Sequence, residues 1–167
     1  MRIACAFDHA GVPLRQFVFE TLTALGHETV DLGVATTDPV DYPDIARLAA
    51  ERVLSGDADR AVIVCGSGAG VAIAACKFPG IRAFVGHDTY TAHQAVEHDD
   101  GNVLCMGGRV IGPLIAAEVL AAFCGASFSG EERHVRRLGK IADIEAQFAP
   151  GARPRPGVRA PSGPDTC

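Results

Sequence analysis

A cysteine followed by a glycine-rich turn is the stretch of this sequence best suited to chemistry. In VIVCGSGAGVAIAACK, residues 62–77, a hydrophobic run ends at Cys65. The turn that follows consists of Gly66, Ser67, Gly68, Ala69 and Gly70. A turn of this kind between a strand and a helix presents backbone N–H groups that can stabilise negative charge. The thiol beside it is a nucleophile, a proton-transferring base or an inert core side chain, and the turn favours the first two.

The residue at position 71 disfavours three familiar anion-binding loops. The dinucleotide fingerprint G-x-G-x-x-G would need a third glycine there, and the chain has Val71. A P-loop needs a lysine directly after Gly70. A phosphatase-type loop that begins with a cysteine needs an arginine six residues later, which is again position 71. The glycine turn therefore belongs to some other chemistry.

A thiolate beside an anion-stabilising turn suits the isomerisation of aldoses to ketoses. In that reaction a base removes the proton next to a carbonyl, and the resulting enediolate needs electrostatic stabilisation. A phosphate on the sugar would need separate positive groups. Arg133 and Arg137 of R-H-V-R-R lie one helical turn apart and are candidates, although a solvated basic helix end would look the same. His98 is a candidate for proton transfer near neutral pH, although alone it is more typical of a surface side chain.

Alternating apolar and amphipathic segments predict the elements that position these residues. Strands are expected at 1–7, 27–33, 60–65, 81–86 and 102–107. Helices are expected at 13–26, 45–54, from the glycine turn to residue 77, and at 89–97, 113–124 and 131–148. This order predicts an α/β fold with a doubly wound five-stranded parallel sheet and helices on both faces, a Rossmann-like three-layer sandwich. Ligands bind beyond the carboxyl ends of such strands, where Asp8 and His9, Cys65, and Arg109 are placed.

Composition limits the class of protein. The 167 residues predict one domain over 1–148 and a tail over 149–167, which has five prolines and too few large apolar residues to repay the entropy of ordering. A net charge of −5 argues against nucleic acid or an anionic membrane as the main partner. The sequence has no evident signal peptide or membrane span, and its six cysteines include no C-x-x-C pair. These features predict a cytoplasmic protein with reduced thiols.

Taken together, the motifs resemble the type B ribose-5-phosphate isomerases, a sugar-phosphate isomerase family that includes galactose-6-phosphate isomerase subunits. The matching segments occur in the family's order and cover most of residues 1–148. They are AFDHAG, DYPDIA (41–46), VCGSGAGVAIAACKFPGIRA (64–83), YTAHQAVEHDDGNVLCMGGRVIG (90–112) and RHVRR (133–137).

The resemblance implies roles for individual residues. Cys65 matches the catalytic base of one branch, whereas the other branch has a glutamate at the position of Val71. Ser67 matches a hydroxyl that relays a proton between substrate oxygens, and His98 matches the residue that helps to open the sugar ring. The implied substrate-binding residues are Asp8, His9, Tyr42, Gly66, Ser67, Gly68, Ala69, Gly70, Asp99, Arg109, Arg133, His134 and Arg137, of which Arg109, Arg133, His134 and Arg137 lie on the phosphate side. A homodimer or dimer of dimers with shared active sites is implied, with no metal or other cofactor.

Two residues depart from the family pattern and leave the sugar open. Asp99 and Cys76 both stand where the family usually has asparagine. An aspartate accepts hydrogen bonds without donating them, and its charge repels an enediolate. A tetrose 4-phosphate, allose 6-phosphate or galactose 6-phosphate is therefore an alternative to ribose 5-phosphate. A non-catalytic sugar-phosphate-binding protein is a second hypothesis, and a cysteine hydrolase a third that Val71 disfavours.

Overall fold

The structure is a computed structural model that describes residues 1–148, so the tail predicted for 149–167 lies outside the described residues. Five strands alternate with helices along the chain. The strands are β1 (Arg2–Phe7), β2 (Glu28–Asp31), β3 (Arg60–Cys65), β4 (Ala83–Val85) and β5 (Val103–Gly107). The helices are α1 (Val12–Ala24), α2 (Tyr42–Leu54), α3 (Ala69–Ala75), α4 (Thr89–Asp99), α5 (Pro113–Gly125) and α6 (Glu132–Gln147).

All five strands pair in parallel in the order β2-β1-β3-β5-β4, which confirms the predicted sheet. β3 lies at the centre, between β1 and β5. Its last residue, Cys65, pairs with Gly107, and Ala61 near its start pairs with Val103. The carboxyl ends of the three central strands therefore lie side by side at one edge of the sheet, called the carboxyl edge below, and the strand starts form the amino edge.

Helices cover both faces of the sheet, as predicted. Successive residues of a strand point to opposite faces, so β3 contributes Val62 and Val64 to one buried cluster and Ala61, Ile63 and Cys65 to the other. The first cluster is completed by side chains of α1, α4 and α5, and the second by side chains of α2 and α3.

Several elements differ from their predicted bounds, among them β2, which covers 28–31 where 27–33 was predicted. Two of these differences have a local reason. α2 begins at Tyr42, three residues earlier than predicted, because a proline in the first turn needs no intrahelical N–H partner and Pro43 is tolerated there. β4 covers only three residues, because the N–H of Arg82 donates to Oδ1 of Asn102 at 2.8 Å instead of pairing in the sheet. The earlier start of α2 matters for function, since it places Tyr42 beside the glycine turn.

A half-buried arginine ties the start of β3 to the end of α5. The Arg60 guanidinium donates hydrogen bonds to the carbonyl oxygens of Phe123 and Ala126, at 2.5 and 2.9 Å. It also lies over the Phe123 ring at 5.3 Å from the centroid, within the range of a cation–π contact. The first residue of the central strand thus fixes the point where the chain leaves α5 toward α6.

No helix in the described part of the chain combines the length and the apolar character needed to cross a bilayer.

Candidate active site

The Cys65 thiol occupies the carboxyl edge at the end of the central strand. The residue is 5% exposed, and its Sγ accepts a hydrogen bond from the backbone N–H of Gly68 at 3.1 Å. Gly68 adopts a left-handed conformation with φ of +82°, which a side chain would strain, and it caps the start of α3. The turn therefore aims a backbone N–H group at the sulfur.

Two large side chains enclose the glycine turn. A Cβ atom added to Gly70 would lie 3.0 Å from Cε2 of Tyr42, so the Tyr42 ring packs directly on this glycine. A Cβ atom added to Gly66 would lie 3.7 Å from a guanidinium nitrogen of Arg109. Glycine is needed at position 70 for this close approach, and the turn is held between an aromatic ring and a positive charge.

The backbone after β5 holds Arg109 in this place. The N–H of Gly108 donates to the Cys65 carbonyl at 2.7 Å, and the N–H of Arg109 donates to the Gly66 carbonyl at 3.1 Å. These bonds continue the pairing of β3 and β5 past the ends of the strands. The exposed Arg109 side chain therefore supplies a cation beside the thiol.

Asp8 and His9 complete the carboxyl edge from the end of β1. The buried carboxylate of Asp8 accepts hydrogen bonds from the N–H groups of Ala10 and Gly11, at 2.8 and 2.9 Å, so it shapes the loop that leads into α1. Nδ1 of His9 accepts a hydrogen bond from the Val40 N–H at 3.3 Å. When neutral, the His9 ring therefore carries its proton on Nε2, which is a donor for a ligand.

Ser67 and His87 lie at the same edge. The exposed hydroxyl of Ser67 accepts a contact from the Ala69 N–H at 3.4 Å. His87, which the sequence analysis assigned no role, accepts a hydrogen bond from the Gly107 N–H at Nε2, at 2.9 Å. Its place directly after β4 was the signal that could have identified it, because residues that follow strands of a parallel sheet gather at one edge.

The other predicted site residues lie at the amino edge. His98 and Asp99 end α4, just before β5 starts, and the buried His134 of α6 packs its ring on His98 with 4.2 Å between centroids. From Ala61 to Cys65 the sheet advances four residues, or about 13 Å. His98 and Asp99 therefore do not meet Cys65 within one chain.

Two of the basic residues of α6, the predicted phosphate-binding arginines, lie near this second group. Arg133 and Arg137 are both exposed, and Nε of Arg133 is 2.9 Å from a carboxylate oxygen of Glu131. The predicted site residues thus fall into two sets. The carboxyl-edge set is Asp8, His9, Tyr42, Cys65 to Gly70 and Arg109, and the amino-edge set is His98, Asp99, Arg133, His134 and Arg137.

A cavity of about 330 Å³ opens at the amino edge beside α6. Cys76 and Asp99, the two departures from the family pattern, both line it, together with Arg82 and Glu145. The Cys76 thiol donates a hydrogen bond to the Ala83 carbonyl at 3.2 Å. The two departures from the family pattern, Cys76 and Asp99, therefore both alter the lining of this one cavity.

Three other thiols are buried in the two core clusters. Burial raises the pKa of Cys5 to about 12 and that of Cys124 to about 11. Burial also raises the pKa of Cys105 well above its ordinary value. These three thiols are held in the protonated form and are inert as bases.

A cofactor site is not evident among residues 1–148. The described residues contain no group of three or more His, Cys, Asp or Glu side chains that could hold a metal ion. The five described cysteines are free thiols.

Comparison with known proteins assigns the family. The sequence profile of the ribose/galactose isomerase family matches residues 3–141. Ribose-5-phosphate isomerase B of Escherichia coli is 38% identical over 144 residues, which cover 86% of this chain and 96% of that protein. D-erythrulose-4-phosphate isomerase 2 of Mycolicibacterium smegmatis is 36% identical over 148 residues, covering 87% and 97%.

The fold gives the same answer. The structure of Clostridium thermocellum ribose-5-phosphate isomerase B superposes with a TM-score of 0.86 at 40% identity, covering 89% of this chain and all of that one. The chain belongs to the ribose/galactose isomerase family.

Proposed function

We propose that this protein is an aldose–ketose isomerase that interconverts ribose 5-phosphate and ribulose 5-phosphate, with Cys65 as the base. The observation that carries the proposal is the contact between Cys65 Sγ and the Gly68 N–H at the mouth of the glycine turn. The resemblance and the family membership support the reaction class. Val71 supports the choice of base, because it is fully buried in the core and leaves no carboxylate beside the turn.

Proton transfer at the carboxyl edge follows from these positions. The Cys65 thiolate takes the proton from C2 of the open-chain aldose, and the C–H electron pair moves into an enediolate across C1 and C2. Backbone N–H groups in the first turn of α3 have no intrahelical partner and stabilise the charge on the two oxygens. The Ser67 hydroxyl relays a proton from O2 to O1. The thiol then returns its proton to C1, which completes the ketose.

Ring opening must precede this step, because the aldopentose phosphate exists mainly as a furanose. We assign the proton transfer of ring opening to His98, which lies at the amino edge, at the opposite end of the sheet from Cys65. His98 therefore serves the carboxyl edge of a second copy of this chain. The proposal includes a homodimer, or a dimer of dimers, in which each reaction centre combines the carboxyl-edge set of one chain with the amino-edge set of the other.

The phosphate is assigned to arginine side chains on both sides of the shared site. Arg109 is exposed beside the turn, and Arg133 and Arg137 are exposed on α6. A guanidinium can hold two phosphate oxygens at once. Arg133 and Arg137 are far from the thiol of their own chain, and Arg109 lies to one side of the glycine turn. The phosphate and the reacting carbons therefore occupy separate subsites.

Replacing Arg137 with alanine is expected to raise KM for a phosphorylated sugar by about 10-fold or more, since a hydrogen bond to a charged group is lost. Initial rates over a range of substrate concentration measure this. Arg136→Ala is the matched control, because it removes the same charge at a position two residues from His134, on the opposite side of α6. Equal KM values for the Arg137→Ala and wild-type proteins would contradict the assignment.

The environment of Asp99 favours one alternative substrate class. Asp99 and Cys76 share the amino-edge cavity, so a binding partner there meets a carboxylate and a thiol. The similarity to D-erythrulose-4-phosphate isomerase 2 makes a tetrose 4-phosphate the second candidate. Allose 6-phosphate and galactose 6-phosphate complete the set of sugars to compare.

An isomerisation assay over ribose 5-phosphate, erythrose 4-phosphate, allose 6-phosphate and galactose 6-phosphate tests the proposal. The highest kcat/KM is expected for ribose 5-phosphate. A higher value for another sugar would keep the isomerase and replace the substrate. Absence of turnover with all four sugars would contradict the enzyme assignment. It would favour a protein that only binds sugar phosphates, and calorimetry would detect that binding.

The free state of the five described cysteines supports a cytoplasmic location as part of this proposal.

A further inference from the structure

We infer that His134 is a positioning residue that orients the His98 ring for proton transfer, and that Ser129 fixes His134 for this task. The inference rests on the proposed function, since it concerns how His98 is held for ring opening. It assigns His134 a role different from the phosphate-side position implied by the resemblance.

The stacking of the two rings is the first observation. The centroids of His98 and His134 are 4.2 Å apart with an interplanar angle of 33°. His134 is 1% exposed, whereas the side chain of His98 is 30% exposed. The inner ring is therefore a platform, and the outer ring is the one that solvent or a ligand can reach.

Ser129 holds the inner ring through a defined hydrogen bond. Its Oγ lies 2.7 Å from Nδ1 of His134 and also accepts a contact from the Glu131 N–H at 3.3 Å. The hydroxyl can donate to Nδ1 or accept from it, and in either direction this bond fixes the rotation of the His134 ring.

The backbone of Ser129 connects the same residue to α4. Its N–H donates to the Glu97 carbonyl at 2.9 Å, one residue before His98. Ser129 thus bonds both to the helix that carries His98 and to the ring that supports it. This double contact sets the position of His134 relative to His98.

Charge favours the same arrangement. Burial lowers the pKa of His134, and the neighbouring His98, Arg133 and Arg137 lower it further, against the opposing effect of Glu131. His98 instead faces the Glu97 carboxylate, with 3.5 Å between Nε2 and Oε2, a carboxylate that also lies 3.6 Å from Nε2 of His93. A neutral inner ring supports His98 in both of its protonation states, as a residue that gains and loses a proton requires.

A direct phosphate contact does not fit the inner ring. Nε2 of His134 is buried and has no hydrogen-bond partner among the described residues. Nδ1 is already occupied by Ser129. The exposed guanidinium groups on α6 are placed to meet an anion, and this ring is not.

Isomerisation and hydrogen exchange separate the roles. Ribose 5-phosphate must be opened by proton transfer before it is isomerised, whereas ribulose 5-phosphate is acyclic because its O5 carries the phosphate. In D2O, Cys65 can therefore exchange the C1 hydrogen of ribulose 5-phosphate through the enediolate without any ring step, and a residue that acts only through His98 affects isomerisation and spares this exchange. Both reactions of the wild-type protein are measured first, so failure of the proposed function is seen before any variant is made.

His134→Leu removes the flat ring and is expected to lower kcat/KM for the isomerisation of ribose 5-phosphate about 10-fold or more, and to lower the rate of deuterium exchange at C1 of ribulose 5-phosphate less than about threefold. His134→Phe keeps a ring without nitrogen atoms and is expected to recover most of that loss. Ser129→Ala, at an exposed position, should give the same asymmetry with a smaller amplitude. His98→Asn is the matched control for the pattern, and thermal unfolding checks that each variant is folded.

Other outcomes would overturn the inference. Equal losses of isomerisation and of C1 exchange would mean that His134 supports the fold alone. A KM increase in both reactions that Phe and Leu share would restore the phosphate role. Unchanged kinetics in His134→Leu would mean that His98 needs no platform.

Discussion

Replacing Cys65 with alanine is expected to lower kcat by about 10³-fold while KM changes less than about threefold, because general acid–base catalysis contributes 10²- to 10⁴-fold and the base adds little to binding. The thiol is the group nearest the turn that can take a proton from carbon, and it is held there by the Gly68 N–H. Steady-state kinetics with ribose 5-phosphate and with ribulose 5-phosphate measure the change. The loss is expected in both directions, because the same proton transfer occurs in each.

Cys105→Ala is the matched control for this experiment. Cys105 is fully buried in the same core cluster, two residues before the Gly107 that pairs with Cys65. Its removal costs a similar cavity but no base, so activity is expected to remain near the wild-type value. Retention of activity within about threefold in Cys65→Ala would leave the isomerase standing and remove Cys65 as its base.

Mixing two inactive variants is expected to restore activity. In a hybrid dimer of Cys65→Ala and His98→Asn chains, one centre carries both defects and the other carries neither. Random assortment makes half of the dimers hybrids, so about a quarter of the wild-type activity is expected after the two proteins are unfolded and refolded together. The two variants alone supply the baseline, and the assay starts from ribose 5-phosphate.

A second mixture controls for the geometry. Cys65→Ala and Arg109→Ala both alter the carboxyl edge, so every centre in their hybrid keeps one defect and no recovery is expected. Recovery in both mixtures would mean that subunit exchange repairs the fold and not the site. Absence of recovery in the first mixture, with hybrids shown to form, would mean that His98 of one chain and Cys65 of the other do not form one reaction centre.

The fold and the carboxyl edge were predictable from local patterns. Runs such as RAVIVC at 60–65 predict strands buried on both faces, and helices between them force the parallel arrangement. Because the strands are parallel, the residues that follow β1, β3 and β5 gather at one edge. Asp8, Cys65 and Arg109 are therefore brought together by topology alone.

The motifs alone do not show which residues of the site lie at which edge of the sheet. The resemblance implies active sites shared between two chains, but a list of site residues carries no information about the edge that each one occupies. The chain order held the missing signal, since a helix that precedes a strand in a parallel sheet must end at the amino edge. His98 ends α4 and is followed by β5, so it lies at the amino edge.

Side-chain contacts between distant segments were beyond prediction. Ser129 stands in a short connection without a motif, and its partner His134 is five residues away on another element. Nothing in the periodicity of α6 indicates that one of its basic residues is buried against α4. Tertiary packing decides that, and only the structure provides it.

Because of the Arg60 contacts, both ends of the central strand β3 support functional residues. β3 begins with the guanidinium that fixes the end of α5, from which the chain continues to Ser129 and His134, and it ends with the Cys65 thiol. In the proposed assembly this strand of six residues, about 20 Å long, is a rigid spacer between two reaction centres, one served by each of its ends. A residue inserted into it would turn Cys65 to the opposite face and displace the support for the neighbouring centre in the same event. The length of β3 is therefore constrained both by the position of Cys65 and by the Arg60 contacts that support the neighbouring centre.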